Sequence, residues 1–196
     1  MSRFFEVRQE FTAPAAQVRA MMVDPSYIRL RAERTGAIGV DIETDIQTNI
    51  QTIVDPSGPD VSGHRDSSAP NSPTLNSSTP VRLRITRILP TKDAPGFARS
   101  LLGDSLTIVE TQEWPPVVAG EVDATMEAAF GSLVRLSGAI HLADQGRGSV
   151  AETKVDCRAS VPLVGGKVEE LVEKQVRDYL AYEVKVAAEW LADCGN

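Results

Sequence analysis

The C-terminal part of the chain carries one apolar stripe. After Pro162 and the pair Gly165-Gly166, apolar side chains recur at steps of three and four residues as far as about Asp193, which predicts a helix of roughly 40 Å. The stripe consists of Val168, Leu171, Val172, Val176, Tyr179, Leu180, Ala187, Trp190 and Leu191. Most of the stability of such a helix comes from packing of its apolar face, so the rest of the chain must supply an apolar surface of similar length.

The segments before this helix alternate between apolar and polar residues, which is the period-2 pattern of half-buried strands. The pattern occurs in residues 3–11, 36–54, 81–85, 105–114, 121–130, 133–142 and 151–161. Because most of the connections are short, these segments predict an antiparallel meander of six to seven strands. At about 3.3 Å per residue, segment 36–54 would be longer than a domain of this size, so we expect it to bend or to break in two.

Short helices are predicted beside the strands. Thr12 precedes Pro14, and a hydroxyl side chain ahead of a proline predicts that Thr12 caps a first helix. Asp24, which also precedes a proline, ends that helix and caps a second one. A third short helix is predicted over residues 95–102.

The chain has the length of one domain, and we expect a single α+β domain over residues 1–196. Residues 55–79 interrupt it with a segment rich in Ser, Pro, Gly, Asn and Asp. Because this composition cannot bury an apolar face, it predicts a flexible polar insert at the surface, and it favours a plain insertion over a lid.

The charge of the chain restricts its partners. A net charge of -7 and a pI near 4.9 disfavour binding to nucleic acid. Charges at Arg3, Glu6, Arg8 and Glu10 interrupt any signal-peptide core, and no apolar stretch reaches the roughly 18 residues of a membrane span. We therefore expect a cytoplasmic protein without stable membrane insertion, either a monomer or a homodimer.

Few residues suit catalysis. His64 lies in the polar insert, and we interpret His141, near the end of a strand, as a structural histidine. Cys157 and Cys194 belong to no CxxC or Cys/His cluster, which predicts reduced thiols and no metal site. The GxSxG, HExxH, GxGxxG and P-loop motifs do not occur in the sequence. We therefore assign no catalytic residue and expect no cofactor.

Glu183 falls within the apolar stripe of the C-terminal helix, between Tyr179 and Ala187. Burying an unpaired carboxylate would cost several kcal/mol. Three arrangements would avoid that cost: an ion pair with an arginine from the sheet, contact with a polar group of a ligand, or a hydrated cavity. Helix curvature that exposes Glu183 at the edge of the stripe is a fourth interpretation.

Several large side chains are candidates for the wall of a cavity between helix and sheet. They are Trp114, Met126, Phe130, Val172, Val176, Tyr179, Glu183 and Trp190. Each of the aromatic and Met candidates also suits an ordinary core. Small residues predicted to point inward, Ala124, Ala128, Ala139 and Ala159, would leave the space incompletely filled. Ligand sites lined in this way have volumes of about 300 to 1,000 Å³.

The order of strand, two short helices, antiparallel strands and one long helix resembles the START-like (SRPBCC) superfamily, which includes the birch pollen allergen and polyketide cyclases. The segment Phe11-Thr-Ala-Pro-Ala-Ala-Gln-Val18, followed by Met22-Val-Asp-Pro-Ser-Tyr27, is similar to the opening of that superfamily. Three further segments resemble an actinobacterial branch of the superfamily whose function is uncharacterised: Pro95-Gly-Phe-Ala-Arg-Ser-Leu-Leu-Gly-Asp104, Glu110-Thr-Gln-Glu-Trp114 and Val161-Pro-Leu-Val-Gly-Gly-Lys-Val-Glu169. The long polar insert departs from that branch.

This resemblance implies a helix-grip fold, in which a curved antiparallel sheet wraps around the long C-terminal helix. It also implies a hydrophobic small molecule, such as a lipid, a sterol or a polyketide-like compound, bound between sheet and helix. Two alternatives stay open. One is a cyclase or dehydratase that uses Glu183 as a general acid or base, and the other is a structural or interaction module with a filled core.

Overall fold

The computed structural model describes residues 2–46 and 79–193. Within these ranges, seven strands form one antiparallel sheet in the order β1-β7-β6-β5-β4-β3-β2. The strands are β1 (Arg3–Phe11), β2 (Gly39–Ile46), β3 (Val81–Pro90), β4 (Ser105–Trp114), β5 (Glu121–Phe130), β6 (Val134–Gln145) and β7 (Gly148–Ala159). Strands β2 to β7 form the predicted meander. β1 lies beside β7, at the opposite edge of the sheet from β2, and two helices connect β1 to β2 in the chain.

The helices are α1 (Ala15–Met22), α2 (Pro25–Arg34), α3 (Gly96–Leu102) and α4 (Gly165–Asp193). α4 is the predicted C-terminal helix, and it packs on β1, β7 and α2. The predicted fold class is confirmed, with seven strands, two short helices after β1 and one long helix against the sheet. Within the described ranges, none of the helices combines the length and the apolarity needed to cross a membrane.

Some predicted bounds were wrong. The strand predicted over residues 36–54 begins at Gly39 and is described only as far as Ile46, and its remainder lies outside the described residues. The insert at 55–79 also lies outside them, except for Thr79. β6 and β7 extend closer to each other than predicted, because Gln145 pairs with Gly148 across a two-residue turn. Gly146 in that turn has a φ of 62°, a conformation that glycine adopts without strain.

The prediction that Thr12 caps the first helix was wrong. α1 begins at Ala15, and the partner of its first amide is a side chain of β6. The Ala15 N–H donates to Oδ1 of Asp144 at 2.6 Å. The hydroxyl of Ser149 donates to the Ala13 carbonyl at 2.8 Å. The predicted cap of the second helix is confirmed, because Oδ1 of Asp24 accepts the Ser26 N–H at 2.7 Å.

Arg19 of α1 is 1% exposed and completes the attachment of this helix. Its Nε donates to the Pro115 carbonyl at 2.5 Å, and its Nη2 donates to the carbonyls of Thr79 (2.6 Å) and Trp114 (3.0 Å). Burial lowers the pKa of this guanidinium from its ordinary value. We call these contacts, together with those of Ala13, Ala15, Asp144 and Ser149, the α1 anchor.

Candidate functional site

A cavity of about 70 Å³ lies between α4 and the inner face of the sheet. Apolar side chains from α1, four strands and α4 form most of its wall, and polar side chains gather at Tyr179 and Glu183 of α4. The volume is well below the range of about 300 to 1,000 Å³ that we expected. The hollow is therefore largely filled by side chains, several of which are long and polar and were not predicted to point inward.

One buried ion pair joins α2 to α4. Nη1 of Arg31 donates to Oε1 of Glu183, and the two side chains are 5% and 3% exposed. Oε2 of Glu183 accepts a hydrogen bond from Nε2 of Gln9 on β1 at 3.0 Å. An ion pair was one of the four arrangements left open for Glu183, and it is the one that the structure has, although the arginine comes from α2 instead of the sheet.

A second buried ion pair lies on the inner face of the sheet. Nη2 of Arg87 on β3 donates to Oε2 of Glu110 on β4 at 2.9 Å. Oε1 of the same carboxylate accepts a hydrogen bond from Nε2 of Gln112 at 2.5 Å, and Oε1 of Gln112 accepts one from Nε1 of Trp114 at 2.7 Å. Three inward side chains of β4 therefore form one hydrogen-bonded row that ends at Arg87.

Tyr179 lies between the two ion pairs. The Cζ atoms of Arg31 and Arg87 are 5.5 and 4.8 Å from the centre of its ring, within cation–π distance. We call Arg31, Arg87, Glu110, Tyr179 and Glu183 the cavity cluster. Three of its buried polar groups have no hydrogen-bond partner among the described residues: Nε of Arg31, Nε of Arg87 and the hydroxyl of Tyr179.

The protonation states of the cavity cluster follow from its charges. Burial alone would raise the pKa of Glu110, but the guanidiniums of Arg87 and Arg31 outweigh burial and hold the pKa below its ordinary value. Burial alone would lower the pKa of Arg31, but Tyr179 and Glu183 outweigh it, so the pKa is raised. Burial also raises the pKa of Tyr179. At neutral pH, Glu110 is ionised, Arg31 is charged and the Tyr179 hydroxyl keeps its proton.

The unpaired groups of the cluster are donors. Both oxygens of Glu110 and both oxygens of Glu183 already accept hydrogen bonds from protein groups. Among the described residues, Nε of Arg31, Nε of Arg87 and the Tyr179 hydroxyl have no acceptor. Because the three atoms themselves have almost no accessible surface, a group that accepts hydrogen bonds would reach them only when side chains of the lining shift.

The structure distributes the predicted wall residues unevenly. Those that line the cavity are Trp114, Met126, Phe130, Val176, Tyr179 and Glu183. Val172 is not part of the lining and packs in a cluster with Phe5. Trp190 is also outside the lining. Its ring packs edge-on against the ring of Tyr27 in α2, and the two ring centres are 5.7 Å apart.

The inward orientation predicted for one of the alanines was wrong. Ala139 is exposed, and the inward position on β6 between Leu136 and Ile140 is Gly138. Gly138 pairs in register with Met126. A Cβ atom at this glycine would lie 3.1 Å from Cγ of Met126 and 2.7 Å from the Lys154 carbonyl oxygen, so the missing side chain accommodates the inward methionine.

Six polar lining residues were not among the predicted wall residues: Gln9, Arg31, Arg87, Glu110, Gln112 and Thr153. The strand alternation carried a signal for them. Arg87 is two residues after the buried Ile85, and Glu110 is two residues after the buried Ile108, so each occupies an inward position. A charged residue at an inward position of a strand is unusual and indicates a buried partner.

Other reactive side chains lie away from the cavity. Nδ1 of His141 is 2.8 Å from Oδ1 of Asp123, and the pair is exposed on the outer face of the sheet. Burial raises the pKa of the Cys157 thiol to about 12, so this thiol is unreactive at neutral pH. In the part of the chain that the structure describes, no three His, Cys, Asp or Glu side chains are grouped so that they could hold a metal ion.

Comparison with known proteins places the chain in a family. Residues 62–191, well over half of the chain, match the model of a family described as "Protein of unknown function (DUF2505)". The chain belongs to the DUF2505 family. No curated protein matches this DUF2505 chain.

Solved structures show which fold this DUF2505 chain has. TTHA0849 from Thermus thermophilus matches with a TM-score of 0.55 and 13% identity, over 99% of this chain and 100% of that one. A START superfamily protein from Mycobacterium smegmatis matches with a TM-score of 0.52 and 12% identity, over 96% and 98%. The Zhui aromatase/cyclase from Streptomyces sp. R1128 matches with a TM-score of 0.51 and 10% identity, over 96% and 93%. The fold is START-like, as the sequence predicted, and the actinobacterial branch stays a prediction.

Proposed function

We propose that the protein binds a compact, mostly apolar small molecule in the cavity between α4 and the sheet. The observation that carries the proposal is that three residues of the cavity lining each hold a buried donor without a partner among the described residues: Nε of Arg31, Nε of Arg87 and the Tyr179 hydroxyl. An unsatisfied buried donor costs about 1–3 kcal/mol. A ligand whose polar end accepts hydrogen bonds from these donors would recover that cost, while its apolar body contacts the rest of the wall.

The volume favours a small ligand over the lipid or sterol suggested by the sequence. The cavity of about 70 Å³ is far smaller than the roughly 300–1,000 Å³ of sites that hold drug-sized ligands, so a compact ligand fits it better than an extended one. A sterol would require α4 and the side chains of the cavity cluster to move apart. A short carbonyl compound or a single-ring aromatic compound requires much less displacement.

The same contacts favour binding over catalysis. A general acid or base must exchange its proton readily, but both oxygens of Glu183 are held by Arg31 and Gln9. Glu110 is held in the same way by Arg87 and Gln112. The Zhui aromatase/cyclase shares the fold at 10% identity, and this likeness by itself does not extend to chemistry.

An NMR titration tests the proposal. We expect acetophenone, a single ring with one carbonyl, to shift the Trp114 indole resonance saturably, because this indole belongs to the hydrogen-bonded row beside the cavity. Ala128→Leu should abolish the shift by filling the cavity, since Ala128 is buried in its wall. Ala129→Leu, on the opposite face of β5, is the matched control and should bind normally.

Two results would contradict the proposal. One is the lack of any saturable binding by the wild-type protein to acetophenone or to smaller ketones. The other is binding that survives Ala128→Leu unchanged, because the ligand would then occupy another site.

A further inference from the structure

The charges around the cavity balance. Among the described residues, its charged lining side chains are Arg31, Arg87, Glu110 and Glu183, two cations and two anions. Each arginine is already paired with one carboxylate. The cavity cluster is therefore neutral as a whole. Its unpaired groups are hydrogen-bond donors, and they come without excess positive charge.

This balance discriminates between ligands of the same shape. A carbonyl oxygen needs only donors, and the unpaired Nε groups of Arg31 and Arg87 and the Tyr179 hydroxyl supply them. A carboxylate would bring a third negative charge to two arginines that already have partners. Burying a charge without a counter-charge is much more costly than burying a hydrogen-bonded neutral group.

We propose that the cavity selects an uncharged hydrogen-bond acceptor, such as a ketone or an amide carbonyl on a compact apolar body, and rejects the carboxylate of the same shape. This inference rests on the proposed function. The residue that sets the selectivity is Glu110, because it neutralises Arg87 and leaves no cation free for an acidic ligand.

Matched probes measure the selectivity in the wild-type protein. Acetophenone and benzoate have nearly the same shape and differ in charge, and butanone and propionate form a smaller pair. At neutral pH we expect each ketone to bind at least about tenfold more tightly than its carboxylate partner, which corresponds to about 1.4 kcal/mol. Because the two pairs differ in size, a ligand that is too large for the cavity can be distinguished from one that is rejected for its charge.

Glu110→Gln tests the origin of the selectivity. The amide keeps the shape of the side chain but removes one anion, so Arg87 becomes free to pair with a ligand carboxylate. We expect benzoate to gain at least about tenfold in affinity relative to acetophenone. Glu113→Gln, on the exposed face of the same strand and paired with Arg82, is the control and should leave the ratio unchanged.

The outcomes separate the two proposals. If the wild-type protein binds benzoate as well as acetophenone, the charge selectivity is wrong and ligand binding in the cavity stands. If neither member of either pair binds, both proposals are overturned. If Glu110→Gln folds and keeps the wild-type ratio of benzoate to acetophenone affinity, Glu110 does not set the selectivity and this inference is overturned. If that variant does not fold, the ratio measured in the wild-type protein decides.

Discussion

The α1 anchor and the cavity cluster both bury arginine side chains, but they satisfy them differently. Arg19 of the α1 anchor donates to three backbone carbonyls, and in the described part of the chain none of its nitrogens is left buried without a partner. Arg31 and Arg87 of the cavity cluster pair with carboxylates, and each keeps an unpaired Nε. Arg19 lies outside the lining of the cavity, whereas the other two are part of it.

This difference shows what distinguishes a structural arginine from one that can bind a ligand. All three arginines are buried, so burial does not separate them. The unpaired donors separate them. Buried donors that have partners stabilise the fold, whereas buried donors without partners destabilise it unless a ligand accepts their hydrogen bonds. The variants below test this contrast.

The largest effect is expected from breaking one buried ion pair of the cavity cluster. Arg31→Leu leaves Glu183 buried without its counter-charge, which should lower the free energy of unfolding by about 3–5 kcal/mol. Adding Glu183→Leu should restore most of the loss, because a buried pair can be replaced by apolar side chains at little cost. Urea denaturation at constant pH measures both.

The matched control for that pair lies on the same two helices. Arg34 of α2 and Glu189 of α4 form an exposed ion pair at 3.3 Å. Arg34→Met should therefore lower the free energy of unfolding by less than about 1 kcal/mol. Equal losses for Arg31→Leu and Arg34→Met would show that the pair of Arg31 and Glu183 is not buried as described.

A smaller effect is expected in the α1 anchor. Arg19→Met leaves three carbonyls without their donor, and we expect the free energy of unfolding to fall by about 2–3 kcal/mol. The affinity for acetophenone should not change, because Arg19 does not line the cavity. Arg29→Met, at an exposed arginine of α2, should change stability by less than about 0.5 kcal/mol. A weaker affinity for acetophenone in Arg19→Met would remove the distinction between the two regions.

The start of α1 offers a third test. Asp144→Ala removes the acceptor of the Ala15 N–H, and we expect a loss of about 1 kcal/mol in the free energy of unfolding. Thr12→Ala should have almost no effect, although the sequence pattern favoured Thr12 as the cap. If Thr12→Ala were the more destabilising variant, the assignment of the cap to Asp144 would be wrong.

Much of the fold was predictable because it depends on local periodicity. The alternation over residues 3–11, 105–114 and 121–130 gave the observed bounds of β1, β4 and β5, and the three-and-four spacing gave α4. The Thr12 cap was mispredicted because the group that replaces it, Asp144, is 129 residues away from Ala15 in the chain. Sequence patterns report such long-range partners poorly.

The candidate site was predictable only in part, for the same reason. Glu183 could be identified because a carboxylate interrupts an apolar stripe, but its partner Arg31 comes from α2 through tertiary packing. Glu110 and Arg87 occupy inward positions of the strand alternation, but only the register of β3 against β4 shows that they pair with each other. The cavity volume depends on how these long side chains fill the hollow, which a pattern of apolar and polar positions does not encode.

Tyr179 and Tyr27 provide the most direct comparison for the central claim. Both hydroxyls are buried without a hydrogen-bond partner among the described residues, but only Tyr179 lines the cavity. Removing an unsatisfied buried hydroxyl should raise the free energy of unfolding by about 1 kcal/mol in Tyr179→Phe and in Tyr27→Phe alike. Stability alone therefore does not distinguish the two positions, and ligand affinity does.

The decisive measurement is the acetophenone dissociation constant of Tyr179→Phe divided by that of Tyr27→Phe. If the Tyr179 hydroxyl donates to the ligand, the ratio should be about five or more, the equivalent of one lost hydrogen bond of roughly 1 kcal/mol. A ratio of about one in two folded variants would show that the unpaired donors of the cavity cluster do not bind the ligand.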